Sequence, residues 1–433
     1  MRLAVPRAFF LAGIFIAFCA LLIVASRITG GDGSAPPPPG DTQDYDNIAV
    51  QLLHGRGFAI DYSDPEWRRP YEEHNREGEF DEILARKIPF HITTYRPPLL
   101  PFALALTYRI FGRDFLMWRI IEAVLTALAL TLVSDVAWRA LGSRVALIAA
   151  GLMFLSATYV HYVANVALMT EPLAIVMVAV IVWTLSRAGD AHPYAMAAGC
   201  GVALALLCLT RSFYLAWLPF LAILIWRIAP MRGAKAAAIF VIVALAVQTP
   251  WWIRNCRVTG AFLPFGTQAG VAMHTAYSDI ALVHHGIWWN ARPAQQETAY
   301  AREIGSCKGC SEVELARYGM RGGRVWAMQH PQWLPILAWW RISNTWATAI
   351  ETGFIAPLFW LGLLAPFILW RRRDLVQGRI VFAIVLLVLI NVLVIAMTWT
   401  VGWRFLVPVE PLLTVLAAVP IVVLINGESA VAA

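Results

Sequence analysis

The sequence predicts an all-α integral membrane protein, and three observations carry that reading. Apolar runs of bilayer-spanning length recur along its 433 residues, each near the ~20 residues a spanning helix needs. Only 14% of residues are charged and 59% are hydrophobic, whereas a soluble domain is about a quarter charged. The basic residues fall in short clusters between apolar runs, as orientation signals do. The net charge of +7 therefore marks topology, and no nucleic-acid partner is expected. Nineteen Trp and twelve Tyr suit a protein with two membrane interfaces to anchor. No G-x-x-x-x-G-K-[ST] or G-x-G-x-x-G nucleotide loop occurs.

In chain order, residues 8–28 form the first expected span, preceded by Arg2 and Arg7 on its cytoplasmic side. A signal peptide is the rival reading, but the run exceeds a typical signal core and many more follow. Residues 30–40 read G-G-D-G-S-A-P-P-P-P-G, a stiff extended spacer. Residues 41–55 read as a helix, with Asp41 or Thr42 to cap it and Gly55 and Gly57 to stop it. Tyr45, Ile48, Ala49 and Leu52 share one face, which suits a helix lying on the membrane surface. Residues 61–87 are highly charged and are expected in water.

Residues 97–112 are apolar but short, with Pro97, Pro98 and Pro101 near their start. Parity decides their role. If this segment does not cross, every short basic connector falls on the cytoplasmic side: Arg139 with Arg144, Arg187, Arg227 with Arg232 and Lys235, and the three arginines at 371–373. If it crosses, that last cluster lies outside. The expected layout is one transmembrane domain over 1–433 with about ten spans and both termini inside. A first span at 8–28 precedes an extracytoplasmic loop with interfacial helices at 29–114. Spans two to seven occupy 115–253. A second outer loop with an interfacial helix covers 254–350, and spans eight to ten occupy 351–426.

Ionisable residues at a membrane edge are costly, so each is a candidate for function. On this topology Asp41, Asp44, Asp46, Arg96, Glu171, Arg211, Arg254, His274 and Arg404 gather at the outer edge. Carboxylates beside arginines suit transfer from an anionic donor: guanidinium forks grip phosphate and a carboxylate can take a proton from a hydroxyl. Each residue also has a structural reading. Asp41 with Asp44 can cap the surface helix, Glu171 can favour a helix N-terminus, Arg211 can snorkel, Arg96 can be a solvated loop charge and His274 a packed loop histidine. Cys307 and Cys310 form C-K-G-C in the second loop, read as a disulfide, a free pair or half a metal site.

These residues also carry a family resemblance. D-T-Q-D-Y with A-V-Q-L-L-H-G-R-G-F, from Asp41, resembles the opening motif of the GT-C polyprenyl-phosphate-sugar glycosyltransferases, the superfamily of protein O-mannosyltransferases and lipid A aminoarabinose transferases. Y-R-P-P-L-L-P, M-T-E-P-L-A, L-T-R-S-F-Y, T-P-W-W-I-R-N-C-R-V-T-G-A-F-L-P-F and G-W-R-F-L-V-P-V-E-P-L-L resemble later family motifs, in the family's order. Ser212 stands where a proline is usual, and C-K-G-C is not a family feature.

The resemblance implies a GT-C fold and an inverting glycosyl transfer in the inner membrane, on its extracytoplasmic, periplasmic face. A sugar would pass from a polyprenyl-phosphate donor to a hydroxyl on a lipid, glycan or protein acceptor. It implies Asp41 as the catalytic base with Glu171 opposite, and Arg96, Tyr95, Arg211 and Arg404 at the donor phosphate. Asp44, Tyr45, Arg254, Asn255 and His274 are further substrate-binding candidates. No cofactor is expected to be required; a divalent metal shared by Asp41 and Glu171 is the alternative. A transporter or flippase of a lipid-linked or small anionic substrate is the alternative function.

Overall fold

The computed structural model describes residues 6–86, 88–187, 192–228, 232–287, 310–351, 355–370, 375–398 and 403–426. Cys307 and the arginines at 371–373 lie outside the described residues. Among the described residues the protein is mostly helical, with one two-stranded antiparallel ribbon. Among the described residues six helices are long and apolar enough to cross a membrane. They are α1 (Arg7–Gly30), α6 (Phe115–Leu141), α10 (Pro193–Thr210), α12 (Gly233–Thr259) and two that fall within α19 (Leu375–Met397) and the last helix region from Val407. A bent pair, α7 (Ser143–Leu155) with the segment Ala157–Val166, turns by 49° and gives a seventh crossing if taken as one span.

The other expected spans are shorter or broken helices: α9 (Glu171–Ser186), Ser212–Ile228 containing α11 (Trp217–Ile228), and α17 (Ile355–Gly362) followed by α18 (Ala365–Trp370). The chain is a multi-pass membrane protein. Its largest core is built from α6, α9, α10, α19 and α20 (Glu410–Asn426), with Leu130, Val133, Ile175, Ile181, Leu204 and Leu412 buried at their contacts.

The segment expected not to cross forms a helix shorter than a membrane span. Helix α5 (Leu99–Phe111) has 13 residues, about 20 Å of rise against the roughly 30 Å of a hydrocarbon core. Both of its flanks are tied to α2 (Thr42–Leu53). Before it, Arg96 pairs with Asp41 and Asp44; after it, Arg113 pairs with Asp46. A helix of 12 residues holds both ends of α5, so the two lie side by side. Leu100, Leu104 and Tyr108 pack against Tyr45, Ile48 and Ala49, while Phe102, Leu106 and Ile110 stay exposed.

One expectation for this loop needs correction. Residues 61–87 are not simply solvated. Asp64 accepts hydrogen bonds from the backbone of Glu66 and Trp67, capping α3 (Pro65–Glu73). This turns Trp67 and Tyr71, four residues apart, into a core they share with Phe80 and Ile83. Asp46, a candidate at the membrane edge, is fully buried and receives Tyr71, Tyr108 and Arg113.

In the second loop, α12 ends at Gly260, whose φ of 66° closes the helix in a left-handed cap. Helix α13 (Gln268–Ala276) then packs on α15 (Glu312–Gln329), with α14 (Asp279–Val283) between them in sequence. A Cβ on Gly270 would sit 2.1 Å from the Ala316 carbonyl oxygen, so only glycine permits this approach. Helix α16 (Leu334–Glu351) follows, and its buried Arg341 donates to the carbonyls of Ala276 and Ala396.

Candidate active site

Asp41 holds the N-cap position of α2 but does not act as a cap; its side chain makes no hydrogen bond to the helix backbone. Both of its oxygens are given to arginines. Arg96 Nη2 donates to Oδ1 at 2.7 Å and Arg404 Nη1 donates to Oδ2 at 2.9 Å. Arg96 lies before the Pro97-Pro98 step that starts α5. Its Nε donates to Asp44 Oδ2 at 2.8 Å. The Tyr45 and Tyr95 rings flank its guanidinium at 5.2 and 5.1 Å, a cation–π arrangement that keeps the fork planar to its carboxylates. Tyr62 donates its hydroxyl to Asp44. Asp44 thus orients Arg96.

Arg404 comes from the loop between α19 and α20. It bridges Asp41 to Glu171, donating to the latter from Nε. Glu171 is the first residue of α9. The same Oε1 accepts from Arg211 Nη2 at 2.5 Å. Arg211, the C-cap of α10, also donates from Nε to Thr170 Oγ1 at 2.8 Å and lies over the Phe405 ring at 5.1 Å. The result is an unbroken row, Arg96–Asp41–Arg404–Glu171–Arg211, assembled from α2, the 93–98 loop, α9, α10 and the loop before α20. Arg211 Nη1 is buried and has no acceptor among the described residues.

Electrostatics follow from this geometry. Burial pushes the Asp41 carboxyl up, but Arg96 and Arg404 together hold it well below the usual carboxylate range. Burial draws Arg96 down, and Asp41 with Asp44 raise it well above the ordinary guanidinium value. Asp41 keeps 32% of its side-chain surface exposed, while Glu171 keeps none. Asp41 therefore faces the cleft and Glu171 sits behind the arginines.

The row forms one wall of a cleft of about 1090 Å³. One arm is apolar, lined by Phe213, Phe220, Leu393, Val394 and Met397. The other is polar, with Glu79, Glu82, Arg86 and His91. Glu312 clamps the loops that frame it, accepting from Thr93 Oγ1 at 3.0 Å, Thr94 N at 3.2 Å and Thr267 Oγ1.

Asp41, Asp44, Tyr45, Tyr95, Arg96, Arg211 and Arg404 come together at this cleft, with Glu171 beneath them. Three candidates do not. Arg254 donates to the Thr93 and Phe58 carbonyls and lies over Trp251, fastening the ribbon of β1 (Ala59–Ile60) and β2 (His91–Ile92) to the end of α12. Asn255 is buried and accepts from Arg254. His274 is buried against Gly322 of α15, on the side of α13 away from the cleft, and burial lowers its pKa to about 4. Cys310 is disulfide-bonded.

Thr170 and Tyr62 were not among the sequence candidates. Thr170 was legible inside M-T-E-P, where it neighbours the acid. Tyr62 and Glu312 carry no local signal: Glu312 is 219 residues from Thr93. Asp41 and Glu171 do not fit a shared divalent ion, since the Arg404 guanidinium stands between them and donates to both. Among the described residues no group of three His, Cys, Asp or Glu side chains could hold a metal.

Residues 95–253 match the family model described as dolichyl-phosphate-mannose-protein mannosyltransferase. No curated protein matches the chain in sequence. Three solved structures share its architecture at low identity. ArnT from Cupriavidus metallidurans, described as bound to undecaprenyl phosphate, aligns with a TM-score of 0.52 at 13% identity, over 94% of this chain and 60% of its own. The oligosaccharyltransferase AglB from Archaeoglobus fulgidus, described in complex with an inhibitory peptide and a dolichol-phosphate, gives 0.53 at 12% identity over 96% and 51%. The Archaeoglobus fulgidus oligosaccharyltransferase tethered to an acceptor peptide gives 0.56 at 10% identity over 96% and 50%. This chain thus spans about half to three-fifths of the length of those proteins. These likenesses show that the chain has the GT-C fold.

Proposed function

We propose that the protein is a membrane glycosyltransferase that moves a sugar from a polyprenyl-phosphate donor to an acceptor hydroxyl at the extracytoplasmic face of the inner membrane. One observation carries this reading: three arginines and two carboxylates alternate along the wall of a cleft whose other arm is apolar. The apolar arm suits a prenyl chain. The guanidiniums suit the phosphate it ends in, and the buried, unspent Nη1 of Arg211 is a donor awaiting an oxyanion. The two solved structures described with polyprenyl phosphates support the same donor class.

In this mechanism the acceptor oxygen attacks the anomeric carbon on the face opposite the carrier phosphate. The sugar–oxygen bond breaks, its electron pair stays on the phosphate, and the configuration inverts. Asp41 takes the hydroxyl proton and later yields it to solvent. Arg96, Arg211 and Arg404 offset the charge that grows on the leaving phosphate, as donors fixed before the reaction begins. Held between two arginines, Asp41 is a weak base. When those guanidiniums turn donors toward a phosphate, Asp41 loses part of what holds its proton affinity down. Donor binding thereby activates the base.

Glu171 is a positioning residue: it fixes Arg211 and Arg404 from behind. The mechanism uses no metal, so transfer is expected to survive incubation with a chelator; loss of transfer restored by a divalent ion would contradict it. The sugar and the acceptor, whether lipid, glycan or protein, are set by the polar arm and the loops around it.

The test is transfer by the purified protein in detergent, from a panel of polyprenyl-phosphate hexoses and pentoses, read as release of the carrier phosphate with an envelope extract as acceptor. Transfer from at least one donor is expected. Binding of donors with no transfer from any would overturn the proposal.

A further inference from the structure

A second charged cluster lies at the opposite end of the bundle. Helix α1 has 24 residues, about 36 Å of rise, with Arg7 at its first position and the cleft loop beyond its last. Arg7 is therefore a membrane thickness from Asp41. There it meets Asp135 in the penultimate turn of α6. Arg7 Nε donates to Asp135 Oδ1 at 2.6 Å, and its Nη2 donates to the same oxygen. Arg139 Nε and Trp183 Nε1 each donate to Oδ2 at 3.1 Å. Arg187, the C-cap of α9, comes no closer than 3.9 Å to Oδ2 and lies over the Trp183 ring at 4.1 Å.

Asp135 is saturated by this arrangement, because a carboxylate offers about four lone-pair sites. The arginines are not. Each guanidinium has about five N–H donors; Arg7 gives two to Asp135, Arg139 gives one, and Arg187 makes no hydrogen bond to it. Among the described residues three cations face one anion. Their side chains remain 34%, 35% and 25% exposed while Asp135 is 6% exposed, so the carboxylate is covered and the forks are not. A helix staple needs one arginine. Three, drawn from the ends of α1, α6 and α9 and set beside Trp138 and Trp183, form a basic notch between spanning helices at headgroup depth.

We propose that this notch binds the phosphate of an anionic phospholipid headgroup, with Arg139 and Arg187 as its main donors and Asp135 holding the arginines in register. The site is separate from the transfer cleft and does not depend on the reaction proposed for it. A phosphodiester oxygen accepts from the free Nη groups, and the headgroup sits where Trp183 bounds the polar edge.

The test uses the full chain in nanodiscs of mixed phosphatidylglycerol and phosphatidylcholine. Retained lipid is measured by native mass spectrometry for the wild type, Arg139→Gln/Arg187→Gln and Arg139→Lys/Arg187→Lys. The wild type should retain phosphatidylglycerol over phosphatidylcholine by roughly tenfold. The double Gln variant should lose that preference and the double Lys variant should keep most of it; Arg7 still staples Asp135 in both, so the fold is preserved. Equal retention of the two lipids by the wild type, or an undiminished preference in the Gln variant, would overturn the proposal. Competition by millimolar inorganic phosphate as effective as competition by added phosphatidylglycerol would assign the notch to a free anion and overturn the lipid claim.

Discussion

Asp41 has both carboxylate oxygens on guanidiniums, and that sets its chemistry. Removing one cation relieves part of what depresses its pKa. In Arg404→Gln the acid-side inflection of kcat/KM should move to higher pH, because the free enzyme's base then binds a proton more readily. An unmoved inflection would separate Asp41 from the base role. His274 gives a second pH effect, on stability. Its folded pKa of about 4 lies below the ordinary ~6.5. The unfolded chain therefore takes a proton that the folded chain refuses, and stability present above pH ~6.5 is lost as pH falls toward 4. Replacing it, His274→Gln, should flatten that loss, worth about 3 kcal/mol at most, in unfolding measured across that pH range.

The α2–α5 pair positions the first half of the site. Asp46 is fully buried under Arg113, so Asp46→Asn leaves a guanidinium without its charge partner. That change should cost about 3–5 kcal/mol, read as a lower midpoint of thermal unfolding in detergent; an unchanged midpoint would show that packing alone holds α5. Much of this pair was legible. The Tyr45–Ile48–Ala49–Leu52 face gave the helix, and the short proline-led segment gave α5 as a short helix. What was hidden was long-range. The Asp46–Arg113 pair carries no local signal because Arg113 is 67 residues away. Helix α3 was obscured because Glu66, Arg68, Arg69, Glu72 and Glu73 surround the Trp67–Tyr71 pair that faces inward.

Across the whole molecule, the site depends on spans that deliver Glu171, Arg211 and Arg404 to a loop that precedes them all in sequence. Six of the expected spans are helices of crossing length among the described residues, and they were readable as apolar runs because the bilayer sets their length. Breaks within spans were not, since the 49° bend near Ser156 follows from packing: Ser156 donates to the buried Glu410. This topology puts Glu77→Cys and Arg257→Cys on the cleft side and Arg144→Cys on the other. In a Cys256→Ala background, because the exposed Cys256 would label in every variant, an impermeant maleimide added outside right-side-out vesicles should label the first two and spare the third; labelling of Glu77→Cys and Arg144→Cys with Arg257→Cys spared would show that α5 crosses. The most direct measurement is single-turnover transfer from a bound polyprenyl-phosphate sugar by the wild type and Asp41→Asn. The variant should bind donor at least as tightly, because its arginines are freed, and transfer about 10²–10⁴-fold more slowly. Transfer at the wild-type rate would contradict the assignment of Asp41 as the base.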